Sequence, residues 1–211
     1  TASRDGSASM RVRDVPGNRW QRSVQFLRTI GESLQWQDDR VALALFASIA
    51  TPQVRLTRDP NTFFFFLDHL SDEPPFRLQD DTTWDTNIER GIYWGLRLID
   101  KDEELARLAA AARRGRPADA QPVDGLVART EGAERKNARA FVLVSDGQAW
   151  SGEVAKSIAA AQNRSIPIFV VGVGTTVGGI IPEPNREPGR SVLSSSLDRA
   201  SLAAIANAGG G

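Results

Sequence analysis

The segment Asp5-Gly6-Ser7-Ala8-Ser9 places one carboxylate and two hydroxyls at alternate positions near the start of the chain. Side chains at that spacing can converge on a single ion. Carboxylate and hydroxyl oxygens are hard ligands, which suit Mg²⁺, Mn²⁺ or Ca²⁺ and disfavour metals that want thiolate or imidazole. Taken alone the segment reads more readily as turn and helix-cap chemistry, because Asp and Ser serve those roles as well. Two other stretches offer oxygens of the same kind. Phe141-Val142-Leu143-Val144-Ser145-Asp146-Gly147 ends an apolar run on a carboxylate and a glycine turn. Thr86 closes the polar stretch Gln79 to Asp85 and opens a helical pattern, so its hydroxyl could cap that helix or ligate an ion.

The elements that would position these residues follow from the apolar patterning. Val41 to Ala47, Ala140 to Val144 and Ile168 to Val173 are short, nearly continuous apolar runs. Such runs are expected of parallel strands covered on both faces. Gln53 to Leu56, after Thr51-Pro52, reads as a weaker edge strand returning from the first run as a hairpin. Between the runs, apolar residues recur at helical spacing. The pattern is seen in Trp20, Val24, Leu27, Ile30 and Leu34 after Pro16-Gly17-Asn18, in Phe63 to Leu70, in Ile88, Ile92, Leu96 and Ile99, in Val154, Ile158 and Ala161, and in Leu202, Ile205 and Ala206. Alternating strands and helices predict an α/β fold. The sheet is expected to be a doubly wound, mostly parallel open sheet, Rossmann-like, with helices on both faces and one antiparallel edge strand. Ligands bind such a sheet beyond the carboxyl ends of its strands.

At 211 residues the chain is expected to form a single domain, residues 1–211. Lys plus Arg and Asp plus Glu both total 26, so no basic bias points to nucleic acid. With no cysteine there is no disulfide framework, thiolate metal site or cysteine nucleophile. No apolar run approaches the ~18 residues of a membrane span, and no signal peptide precedes Asp5. Both ends read as cuts in a longer protein. From Lys101 to Asn137 large apolar residues are scarce. The first part, to about Ala112, is read as an extension of the preceding helix, and 113–137 as a flexible surface insertion. The lone His69 is read as a packing residue, not a base.

The three oxygen-bearing segments, in this order and on these elements, resemble the metal-ion-dependent adhesion site of von Willebrand factor A domains. Asp5, Ser7, Ser9, Thr86 and Asp146 match its pattern of Asp-x-Ser-x-Ser, Thr and Asp position by position. More narrowly, the chain looks like the bacterial Bat-type, aerotolerance-associated branch. That likeness is carried by Met10-Arg11-Val12-Arg13-Asp14 with Asn18-Arg19, and by Pro182-Glu183-Pro184 after Gly172-Val173-Gly174-Thr175.

The resemblance implies a non-enzymatic, metal-dependent protein-binding module. Two aspartates nominally balance a divalent cation while hydroxyls add no charge, so the ion keeps affinity for an Asp or Glu side chain of a protein partner. It implies an extracytoplasmic, periplasmic-facing location at the inner membrane, beside transmembrane helices outside this fragment. It also implies a full central strand before Asp5, where only Thr1 to Arg4 stand, so the first strand is expected to be truncated or missing. Asp85 stands where the family usually has glycine, and Trp84, Asp85 and Trp150 are candidates for a partner-binding rim. A structural module with a vestigial metal site stands as the alternative. A Mg²⁺-dependent phosphohydrolase fits less well, because the place of its second acid is Ser7.

Overall fold

The computed structural model describes residues 1–70, 86–114, 138–148, 153–183 and 192–211. The first strand is present, and it is central. β1 (Ala2–Asp5) pairs in parallel with β2 (Val41–Phe46) on one side and with β4 (Phe141–Ser145) on the other. Asp5 lies opposite Phe46 and Arg4 opposite Val144. The expected gap at mid-sheet is therefore filled by a strand of four residues, all buried. What holds it is unusual. Ser3 donates its hydroxyl to the Gly91 carbonyl at 2.9 Å, and Arg4 donates to Ser23 Oγ and to the Trp20 carbonyl, both at 2.6 Å. The Arg4 guanidinium also lies 3.2 Å from the Trp20 ring centre. Hydrogen bonds and ring contact here do what apolar packing does in the neighbouring strands.

β3 (Ala50–Thr57) is antiparallel to β2 and forms one edge, and β5 (Ile168–Gly172) pairs in parallel with β4 and forms the other. The order is β3-β2-β1-β4-β5, mostly parallel with one antiparallel edge, as expected. β3 begins earlier than predicted and takes in Pro52, which an edge strand tolerates because one side of its ladder is open.

The helices pack on both faces. α1 (Arg19–Ser33) is capped by Asn18, which accepts from the Gln21 amide at 2.8 Å, and α2 (Pro60–Asp68) by Asp59 with proline in the first turn. Their apolar residues Leu27, Phe63 and Leu67 join Leu43, Val144 and Val173 in one buried layer. On the opposite face, α3 (Ile88–Arg114), α4 (Val154–Gln162) and α5 (Arg199–Gly209) set Ile88, Ile92, Ile158 and Ile205 against Phe141 and Ile168. α3 does run through Lys101 to Ala112, and the insertion beyond Arg114 falls outside the described residues.

Of the phenylalanine run, Phe63 is buried and Phe65 exposed, with His69 stacked on Phe65. Trp20 is core and Trp36 packs on Phe63, whereas Trp94 is 36% exposed. Its neighbour Gly95 faces β4 instead, so the tryptophan points off the packed side. One pairing was not foreseen. β6 (Gly179–Ile180) and β7 (Ser194–Ser195) form a small antiparallel hairpin. Among the described residues no helix is long and apolar enough to cross a membrane.

Candidate metal centre

The carboxyl ends of β1 and β4 and the start of α3 meet at one end of the sheet. Asp5 closes β1, and its Oδ1 accepts the Ser7 amide at 2.9 Å while Oδ2 accepts the Ser145 hydroxyl at 2.7 Å. Ser7 opens a 3₁₀ turn over Ala8–Arg11, yet its side chain makes no capping bond. It lies 2.9 Å from the Ser9 hydroxyl instead. The Asp5 carboxylate thus does perform local turn chemistry, while the two serine hydroxyls point at each other.

Thr86 is brought to the same end by its neighbour. The Asn87 amide donates to the Ala47 carbonyl at 3.0 Å, just past the end of β2 and beside Phe46, the cross-strand partner of Asp5. The helix cap that the sequence allowed to Thr86 is supplied by Asn87, whose Oδ1 accepts the Arg90 amide at 3.0 Å. That leaves the Thr86 hydroxyl without capping duty, in a residue 2% exposed.

Asp146 follows β4 directly. Its Oδ1 accepts the Gln148 amide at 3.2 Å, and its carbonyl accepts the Asp198 amide at 2.8 Å. The turn requires Gly147, which sits at φ +85° with Leu202 Cγ only 2.7 Å from where a Cβ would stand. Asp5, Ser7 and Asp146 are fully buried, and Ser9 is 8% exposed. Trp84, Asp85 and Trp150 lie outside the described residues.

The sequence profile of the von Willebrand factor type A domain matches residues 5–148, more than half of the chain. The chain belongs to the von Willebrand factor type A family. Among solved structures it is similar to BatB from Bacteroides thetaiotaomicron, with a TM-score of 0.70 at 22% identity, covering 100% of this chain and 85% of that one. An aerotolerance-related membrane protein from Bacteroides fragilis scores 0.71 at 21% identity, covering 100% and 87%. Proximal thread matrix protein 1 from the mussel byssus, in a form with a zinc-occupied MIDAS motif, scores 0.52 at 11% identity, covering 82% and 37%. No curated protein matches.

The charges at this end of the VWA domain decide what it can hold. Burial, and then the charge of Asp146, push the Asp5 carboxyl well above the ordinary carboxylate range, against hydrogen bonds from Ser145 and Ser7 that pull it down. The two buried acids are close enough to repel one another. Among the described residues no three His, Cys, Asp or Glu side chains gather as metal ligands. A cation here would rely on two acids and neighbouring hydroxyls, a donor set that fits a hard divalent ion.

Sequence reasoning missed a buried cation already paired with one of these acids. Arg19, fully buried, donates to Asp146 Oδ2 at 2.7 Å and makes a forked pair with Asp14 at 3.0 and 2.8 Å. Asp14 Oδ2 in turn accepts the Thr175 amide at 2.7 Å. The available signal was positional: an arginine in the first turn of a helix meets the unfavourable end of the helix dipole and needs acids to hold it.

Asp14 carries a pH prediction. Burial alone would raise its carboxyl, but the Arg19 side chain, the Thr175 amide, the Arg19 charge and the Thr175 hydroxyl bring it down from 3.8 to about 2. A depressed folded-state value stabilises above the unfolded value and is lost as pH falls through the folded one. The stability gap between wild type and Asp14→Asn in urea melts should therefore be full at neutral pH and shrink between about pH 4 and pH 2. A gap that stays constant over that range would place the Asp14 contribution outside its charge.

Proposed function

We propose that this VWA domain is a non-enzymatic interaction module. It binds one divalent cation, Mg²⁺ first and Mn²⁺ or Ca²⁺ as alternatives, through Asp5, Ser7, Ser9, Thr86 and Asp146, and receives an Asp or Glu side chain of a protein partner at that cation. One observation carries the reading. The Ser7 and Ser9 hydroxyls lie 2.9 Å apart at the strand ends that bear two buried, mutually repelling carboxylates, and neither Ser7 nor Thr86 is spent on capping a helix. The zinc-occupied motif of the mussel protein supports a cation at such a site. The likeness to BatB and to an aerotolerance-related membrane protein supports a bacterial, membrane-linked setting, and the extracytoplasmic face of the inner membrane is the location we propose within it. Trp84, Asp85 and Trp150 are the proposed rim for the partner.

A second reading, a structural VWA module with a vestigial site, is favoured by the ion pair between Arg19 and Asp146, which already supplies that acid with a counter-charge.

Thermal melts separate the two. A cation at about 100 times its dissociation constant stabilises by ~2.7 kcal/mol. In a domain of this size that corresponds to a rise of roughly 5–10 °C in Tm. Mg²⁺ or Mn²⁺ should produce it in wild type, EDTA should remove it, and Asp146→Ala should not respond. Identical wild-type melts with and without both cations, across millimolar concentrations, would leave the vestigial reading standing.

A further inference from the structure

The buried arginine at Asp146 is more than a neighbour of the candidate cation site. Nη1 of Arg19 donates to Asp146 Oδ2 at 2.7 Å and to Ser195 Oγ at 2.8 Å, and Nη2 donates to the Ser195 carbonyl at 3.0 Å. The Ser195 hydroxyl donates its own hydrogen bond to Asp146 Oδ2 at 3.0 Å. One oxygen of Asp146 thus carries two strong donors, whereas among the described residues Oδ1 accepts only the Gln148 amide at 3.2 Å. The guanidinium cannot drift from this position. Asp14 grips its far edge in a fork, and Asp14 is itself held by the amide and hydroxyl of Thr175. Gly174, at φ +126°, leaves room for it, since a Cβ there would stand 2.6 Å from Arg19 Nε.

The same hairpin touches the other half of the site. Ser195 belongs to β7, and Ile181, just after its partner strand β6, is buried with Ala8 and Val12. Ala8 is the residue between Ser7 and Ser9. The β6–β7 hairpin therefore rests on the serine turn through apolar contact and on Asp146 through hydrogen bonds.

We propose that Arg19 is a positioning residue that competes with a divalent cation for Asp146, so that cation occupancy and the docking of the β6–β7 hairpin are linked. The inference rests on the cation reading given above. Linkage between two events that share one group is reciprocal. Donors that hold Asp146 Oδ2 lower the cation affinity of the site, and a cation that draws on Asp146 loosens its hold on Arg19 and Ser195. The hairpin that would feel this carries Ile180, 63% exposed, and Val177, two residues before β6, is 93% exposed.

Mn²⁺ alone is the probe, titrated by calorimetry with free Mn²⁺ followed by electron paramagnetic resonance. Arg19→Gln removes the competing charge. It should bind Mn²⁺ at least about tenfold more tightly than wild type, because one unit of like charge a few ångströms away is worth that much even when well screened. Ser195→Ala removes one donor but leaves the arginine charge, and should tighten binding about threefold, the low end of a typical hydrogen bond's net contribution. Ordinary structural damage would loosen binding instead. In wild type, Mn²⁺ should speed hydrogen exchange at the Ile181 and Leu197 amides, and the change should be smaller in Ser195→Ala. If Arg19→Gln fails to fold, Asp14→Asn/Arg19→Gln, which leaves no unpaired acid at position 14, takes its place.

Tight Mn²⁺ binding in the variants with weak or undetectable binding in wild type supports the competition. Wild-type Mn²⁺ binding that the folded variants only match or fall short of reduces Arg19 to a structural ion pair and overturns it. Absence of Mn²⁺ binding in wild type and in every folded variant overturns the cation reading itself.

Discussion

Arg19→Ala is expected to destabilise the domain by about 3–5 kcal/mol, the usual cost of removing one partner from a buried charge pair. The reason lies in what is left behind. Asp146 is fully buried and Asp14 nearly so, and both lose their only cationic partner in the described structure. Two carboxylates then face a space from which water is excluded. The Ser195 carbonyl and hydroxyl lose donors at the same time, so the hairpin loses its tie to the sheet. For a domain of this size the loss corresponds to a Tm drop of roughly 10 °C, read by calorimetry in the presence of EDTA. Arg19→Lys should recover little of it, because a single ammonium cannot reproduce a fork that reaches Asp14, Asp146 and Ser195 together. A loss below about 1 kcal/mol for Arg19→Ala would mean that the two acids find water or other partners, as exposed ion pairs do.

The same residue shows where the sequence is legible and where it is not. β2, β4 and β5 were readable because each is a nearly continuous run of apolar residues, although only β2 and β4 are covered on both faces and Phe169 of the edge strand β5 is exposed, and the hairpin to β3 followed from their spacing. β1 was not readable as a strand. Ala2-Ser3-Arg4-Asp5 has one apolar side chain, and its burial depends on Gly91, Ser23 and Trp20, residues 16 to 88 positions away in the chain. Hydropathy cannot detect a strand whose partners are hydrogen-bond acceptors elsewhere. Thr86 and Asn87 posed a different difficulty, since either can cap α3 and only the Asn87 bond to Arg90 decides between them. Arg19 was visible as a letter, but the acids that define it stand 5 and 127 residues away. The β6–β7 hairpin, two residues per strand, is too short to leave any periodic signal. What composition and spacing convey is the scaffold. Polar contacts between distant segments, which decide the charge of the site, require the fold.

Phe141→Ala should cost about 3–5 kcal/mol by large-to-small truncation in the core, yet spare the candidate site. Phe141 opens β4, is fully buried, and faces Gly95 of α3 so closely that a methyl group on the glycine would overlap its Cε2. The surrounding Ile92, Leu96 and Ile168 are fixed by helix and strand backbone, so the hole left by the ring cannot collapse far. Asp146 stands five residues further on, about 17 Å along the strand at the usual rise. Asp146 is anchored there by the Arg19 side chain and by the Asp198 amide, neither of which touches the ring's end of β4. Stability and cation response should therefore separate. Phe141→Ala should unfold at much lower urea yet keep the rise in Tm expected of wild type with Mn²⁺. Asp146→Ala, in contrast, should stay flat to the cation. If Phe141→Ala also lost the Mn²⁺ response while still folded, the packing at the start of β4 would be setting the geometry at its end, and the independence argued from the anchors of Asp146 would be wrong.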